Sequence, residues 1–135
     1  MINVAELLPQ KEPFVMVDTL LHYTETSIHS AYTIRPGDIF SEEGFFLEGG
    51  IVEHMAQSVA LHTGYQYYLK NEPAPVGYIG SISQVAIERL PAVGETLNTR
   101  VEILQEFMGI TLVSVETFVH DLPVASGKMK TVLAS

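Results

Sequence analysis

The chain has 135 residues, 47% of them hydrophobic and 17% charged, with no cysteine and a formal net charge of −9 from 7 basic and 16 acidic side chains. That length and composition predict one folded domain over residues 1–135, and the lack of cysteine excludes disulfides, thiolate metal sites and a cysteine nucleophile. The acidity speaks against nucleic acid and no apolar run is long enough to span a bilayer, so a cytoplasmic protein without nucleic-acid or membrane partners is expected, any anionic partner meeting a small patch drawn from Lys11, Arg35, Lys70, Arg89, Arg100, Lys128 and Lys130.

Taken in order, VAELLPQKEP predicts a short helical turn ended by Pro9, with Pro13 opening extended structure. FVMVDTLLHYT, residues 14–24, is apolar and β-rich and reads as a strand. Residues 27–34 alternate, with Ile28, Ser30, Tyr32 and Ile34 on one face, and RPGD at 35–38 is a turn. Residues 39–48 carry three acids and three phenylalanines without a period, which predicts a structured loop whose aromatics reach inward. A helix is expected from about Gly50 to Leu69, weakened at Gly64, and NEPAP at 71–75 stops it. The remainder predicts strands: 76–89 broken by Gly77 and Gly80, a turn at 91–95, alternating strands at 97–103 and 112–119, a turn at 121–123, and a return over 124–134. One helix that is apolar around most of its circumference needs cover on more than one side, and a sheet curled around it supplies that cover. The expected class is α+β with antiparallel pairing.

Within the helix, GGIVEHMAQS places Glu53 and Gln57 one turn apart on a shared face, directly after Gly49 and Gly50. A carboxylate and an amide at the first turns suit acid/base work beside N–H groups that can hold an oxyanion. The same residues also suit a first-turn acid favoured by the helix dipole, a solvated amide and a tight glycine turn. His54 projects about 100° from Glu53, toward a subunit contact or solvent, and His62, two turns further along, takes the same reading. For each of the histidines, a surface or hydrogen-bonded core role is favoured over chemistry. No histidine pair with a carboxylate has a zinc spacing, so neither a metal nor a cofactor is expected. Phe14, Phe40, Phe45, Phe46, Tyr65 and Tyr68 are candidates for lining an apolar channel, or for the core.

LLPQKEPFVMVD at 7–18, IVEHMAQ at 51–57 and IERLPAVGETL at 87–97, in that order, resemble the motifs of the hotdog-fold 3-hydroxyacyl-acyl-carrier-protein dehydratases, with the aryl-polyene branch most similar. A further match places Gly127 at a glycine turn. The resemblance implies an antiparallel sheet wrapped around one long central helix, and dimers whose strands pair edge to edge and share active sites. It implies dehydration of acyl thioesters carried on acyl carrier protein or coenzyme A, with Glu53 as the catalytic acid/base and Gln57 orienting it or the leaving water. Gly49 or Gly50 would bind the thioester carbonyl, Phe40 would lie in the substrate loop and Arg89 would meet the phosphate of a pantetheine arm. One departure stands out. The family's histidine partner falls on Ile39 here, or on Asp38 if one residue is deleted, and the histidine of its Leu-Pro-His opening is Gln10. Three functions therefore stay open: a dehydratase, a non-catalytic or composite-site subunit paired with a histidine-bearing homologue, and an acyl thioesterase.

Overall fold

The computed structural model describes residues 3–75 and 77–133. Near the start, Val4–Leu7 forms a 3₁₀ turn that Asn3 caps by accepting the Ala5 N–H at 3.1 Å. Residues 14–18 are not the strand expected there; strand β1 begins only at Thr19 and runs to Thr24. Val15, Met16 and Val17 are nevertheless buried. Phe14 and Met16 bond to side chains instead of a neighbouring strand, as described below.

β2 (Ser27–Thr33) follows, then a two-residue hairpin of β3 (Ser41–Glu42) and β4 (Phe45–Phe46) inside the segment read as a loop. Of its phenylalanines, Phe46 is fully buried and Phe45 is exposed. The helix, α1, spans Glu48–Leu69 and passes through Gly64 without a break. It stops where expected: Asn71 takes a left-handed φ of 58°, and the N–H groups of Asn71 and Glu72 return to the carbonyls of Tyr68 and Tyr67 at 3.1 and 3.0 Å, closing the end carbonyls of the helix.

β5 (Gly77–Ile87), β6 (Thr96–Phe107), β7 (Ile110–Val119) and β8 (Leu122–Leu133) complete one antiparallel sheet of order β1-β2-β6-β7-β8-β5. The β6–β7 and β7–β8 hairpins turn on Met108-Gly109 and His120-Asp121, all with positive φ, the pairing that matches strand twist. The last turn thus lies before the expected 121–123, and Leu122 and Pro123 are already in β8, opposite Val119 and Phe118. Gly127 sits in mid-strand opposite Val115 rather than at a turn.

The alternation read in β2, β6 and β7 places Ile28, Tyr32, Leu97, Val101, Val113 and Val115 in the core. There they meet Ile51, Met55, Val59 and Leu61 of α1, which is buried on more than one side. The sheet wraps this helix as the hotdog resemblance implies.

Candidate functional site

Glu53 and Gln57 do share a face: the Gln57 Nε2 donates to Glu53 Oε1 at 3.0 Å. Gln57 itself is fully buried, and its other contacts explain why. Its Oε1 accepts the Met16 N–H at 2.7 Å, and Nε2 donates to the Phe14 carbonyl at 2.7 Å. The amide therefore replaces a strand partner for residues 14–16 and holds the carboxylate with what remains. Among the described residues Glu53 receives no other hydrogen bond, and it is half-buried.

Glu53 lines a cleft of about 400 Å³ whose walls come from distant segments: Leu7, Leu8, Pro9 and Gln10, Ala56 and Ala60 of α1, Ile79 of β5 and Leu133 of β8. Most of this lining is aliphatic. None of Phe14, Phe40, Phe45, Phe46, Tyr65 or Tyr68 reaches it, so the walls are not the aromatic ones considered from sequence. The segment bearing Leu7 approaches α1 closely because residue 64 is glycine: a Cβ there would stand 2.2 Å from the Leu7 carbonyl oxygen. Gln10 contributes a buried side-chain oxygen, Oε1, that has no hydrogen-bond partner. Sequence reading noted Gln10 only as a missing histidine; the adjoining Leu-Pro pair was the signal that it belongs to this wall.

The other candidates lie elsewhere. Gly50 is buried and its N–H donates to the Leu47 carbonyl at 2.9 Å, so that N–H is not available to a thioester carbonyl. Its glycine identity answers to packing, since a Cβ would sit 2.5 Å from Phe46 and 2.7 Å from Phe40. Gly49 is exposed beside the Phe40 ring, and neither glycine lines the cleft. Asp38 is buried and accepts both the Tyr32 hydroxyl and, at 2.8 Å, the Phe40 N–H. Burial, and then the Asp38 hydrogen bond, push the Tyr32 phenol up to about 12. Arg35 completes this second network, donating at 3.4 Å to the Tyr32 oxygen and in bidentate fashion to Glu12 at 3.1 Å. Arg89 pairs with Glu95 at 3.2 Å and is likewise away from the cleft.

No histidine lines the Glu53 cleft. His54 does not face solvent or a subunit contact, as its helical angle suggested; it is fully buried. Its Nδ1–H donates to the Met16 carbonyl at 2.6 Å, and Nε2 accepts from Thr99 at 2.7 Å, which in turn meets Thr117 at 2.7 Å. Burial pushes its pKa down to about 4, in keeping with a neutral ring in a closed polar chain. His62 is buried too, donating to the Thr24 carbonyl at 2.9 Å. His22 and His29 pair across β1 and β2, and His120 is in the last hairpin turn. Among the described residues no group of three or more histidine or acidic side chains is arranged to hold a metal, and no helix is long and apolar enough to cross a membrane.

Comparison with known proteins agrees with this architecture. A family model described as ApeP-like, ApeP dehydratase, matches residues 2–134. A 3-hydroxyacyl-(acyl-carrier-protein) dehydratase FabZ of Tolumonas auensis is 29% identical over 117 residues, 80% of this chain and 77% of that one. In fold the chain is similar to the dehydratase heterocomplex ApeI:P from Xenorhabdus doucetiae, with a TM-score of 0.92 at 16% identity over 100% of this chain and 93% of that one. It is also similar to smu.793 of Streptococcus mutans bound to acetyl CoA, with a TM-score of 0.72 at 13% identity over 95% and 96% of the two chains.

Proposed function

The chain belongs to the ApeP-like dehydratase family, and we propose that it is the carboxylate-bearing subunit of a composite 3-hydroxyacyl thioester dehydratase. A related hotdog subunit supplies the imidazole. The observation that carries this is the cleft itself: a tethered Glu53 among aliphatic walls, with no histidine in reach. Elimination of water needs a base for the α-proton and an acid for the departing hydroxyl. The partner's imidazole removes the α-proton, the C2–C3 double bond forms, and the Glu53 carboxylic acid protonates the 3-hydroxyl, which leaves as water. Gln57 keeps one Glu53 oxygen engaged and so orients the other.

The chain has an edge on which such a subunit can join. Among the described residues β5 pairs only with β8, and it exposes Ile79, Ile82 and Val85, an apolar edge of the kind that proteins cover. Ile79 is also a wall of the Glu53 cleft, so a subunit added along β5 brings its own residues to the carboxylate. That a similar fold occurs in a dehydratase heterocomplex supports the pairing. The acyl group would arrive on acyl carrier protein or coenzyme A.

The test is elimination from a 3-hydroxyacyl thioester by the purified chain, alone and mixed with a histidine-bearing hotdog homologue. Activity should require the mixture, and Glu53→Gln in this chain should lower it by about 100-fold or more. Full activity of the chain by itself would sink the composite site. Hydrolysis of a saturated acyl thioester without elimination would point to a thioesterase instead.

A further inference from the structure

We propose that the substrate's acyl chain continues past the Glu53 cleft into a second cavity under the β6–β7 turn. Thr63, on the ridge between the two, sets how long a chain is held. The inference rests on the dehydratase function proposed above and deepens it by naming a long-chain acyl group as the substrate class. The second cavity holds about 440 Å³. It shares Val59, Thr63, Thr131 and Leu133 with the Glu53 cleft. Of these, Thr63, Thr131 and Leu133 are only half-buried, so they form a ridge between two open hollows rather than sealed core.

The helix supplies one continuous wall. Glu53, Ala56, Ala60 and Thr63 line the first cleft, and Thr63, Tyr67 and Lys70 line the second. Their spacing of three and four residues puts them all on one stripe of α1. Alanine at 56 and 60 keeps that stripe low between the carboxylate and the ridge. From Glu53 to Thr63 the helix rises about 15 Å. An extended hydrocarbon, with bonds of about 1.5 Å in a zigzag, covers that distance in about a dozen carbons. A longer chain must cross the ridge, and what it meets beyond suits it. Val59, Val101 and Val113 are buried there and offer an aliphatic floor, while Phe107 and Met108 stand at the rim. Two polar neighbours are already engaged, His62 with the Thr24 carbonyl and Thr111 with Glu106.

The rim residues are hard to explain by folding alone. They sit at a hairpin tip, 69% and 84% exposed. Met108 also has a left-handed φ of 53°, where Asn, Asp or Gly is favoured. Local rules broken without a gain for the fold mark functional places. A hydrocarbon lying on the valine floor gives both side chains an apolar surface to cover.

The experiment measures binding of octanoyl and hexadecanoyl amino-coenzyme A to the purified chain. In these unreactive probes nitrogen replaces the thioester sulfur, and they differ only in chain length. The wild type should hold the longer probe at least about tenfold more tightly, because its added methylenes leave water. A hexadecanoyl probe with a photoreactive diazirine on its terminal carbon should label the Phe107–Met108 turn or the last turn of α1. In Thr63→Trp the larger ring blocks the ridge, and the ratio of the two affinities should fall to about one. Equal binding of both probes by the wild type, or survival of the ratio in Thr63→Trp, overturns the second cavity and leaves the dehydratase proposal standing. Label placed on the β5 edge overturns it too, since the chain then leaves the cleft by another route. Should Thr63→Trp fail to fold, the position of the label in the wild type decides alone. Failure of the wild type to bind either probe removes the acyl-thioester function and this cavity together.

Discussion

Gln57 shows how one side chain can serve structure and chemistry together. Its amide satisfies the Met16 N–H and the Phe14 carbonyl, and the remaining N–H reaches Glu53. Gln57→Leu would leave the Met16 N–H unpaired in a fully buried place, while the Phe14 carbonyl lies on an exposed residue and can turn to water, at a cost of about 1–3 kcal/mol. Gln57→Glu tests the same geometry with a sign that depends on pH. A second carboxylate would face both the Phe14 carbonyl oxygen and Glu53, so the variant should be less stable than wild type at neutral pH. It should recover part of the loss as acid protonates the new carboxyl. Urea unfolding of both variants at about pH 7 and about pH 4 checks this; a Gln57→Glu protein as stable as wild type at neutral pH would show that the amide tether is absent. The Glu53–Gln57 pairing was legible in the sequence because both residues lie on one helix, where spacing alone fixes a shared face. The backbone tether was not, since its partners belong to another segment.

Among the elements, local periodicity was a sound guide wherever the period was long and its partner a neighbouring strand. β2, β6 and β7 bury the expected faces, and the Asn-Glu-Pro stop ends α1. The failures share a cause. Residues 14–18 have strand composition, yet Gln57 and His54 occupy the backbone groups of Phe14 and Met16 that a strand would present to its neighbour. Gly64 was expected to weaken α1, but its lack of a side chain admits the Leu7 carbonyl. Two opposing effects therefore meet at this position. Ala improves helix propensity over Gly by about 1 kcal/mol, while forcing a methyl against a backbone oxygen costs more, with overpacking at about 1–3 kcal/mol and relief only by moving the chain. Gly64→Ala should accordingly lower the melting temperature and displace the Leu7–Gln10 wall of the cleft. A higher melting temperature would mean that propensity wins and that the close approach at Leu7 does not exist.

At the scale of the molecule, the cleft was beyond sequence reading because Gln10, Glu53, Ile79 and Leu133 meet only once the sheet has closed around the helix. The same closure joins four elements through His54, whose ring links the Met16 segment, α1, β6 and, through Thr99, β7. Its helical angle pointed outward only while no sheet covered that side. This polar chain makes stability depend on pH, and the sign follows from the imidazole. His54 is neutral in the fold with a pKa near 4, below its ordinary value of 6.5, because burial opposes the charge. The unfolded chain therefore binds more protons than the folded one between those values. The stabilisation is complete above about pH 6.5 and is lost as the pH falls toward 4. His54 alone should lower unfolding free energy by about 2 kcal/mol between about pH 7 and about pH 5. His62, also lowered by burial, acts in the same direction. Urea titrations across that range, with imidazole resonances followed by NMR, would measure both the slope and its source. A His54 ring that titrates at its ordinary value in the folded protein, or stability that stays level down to about pH 5, would rule out the buried neutral ring as the link between helix and sheet.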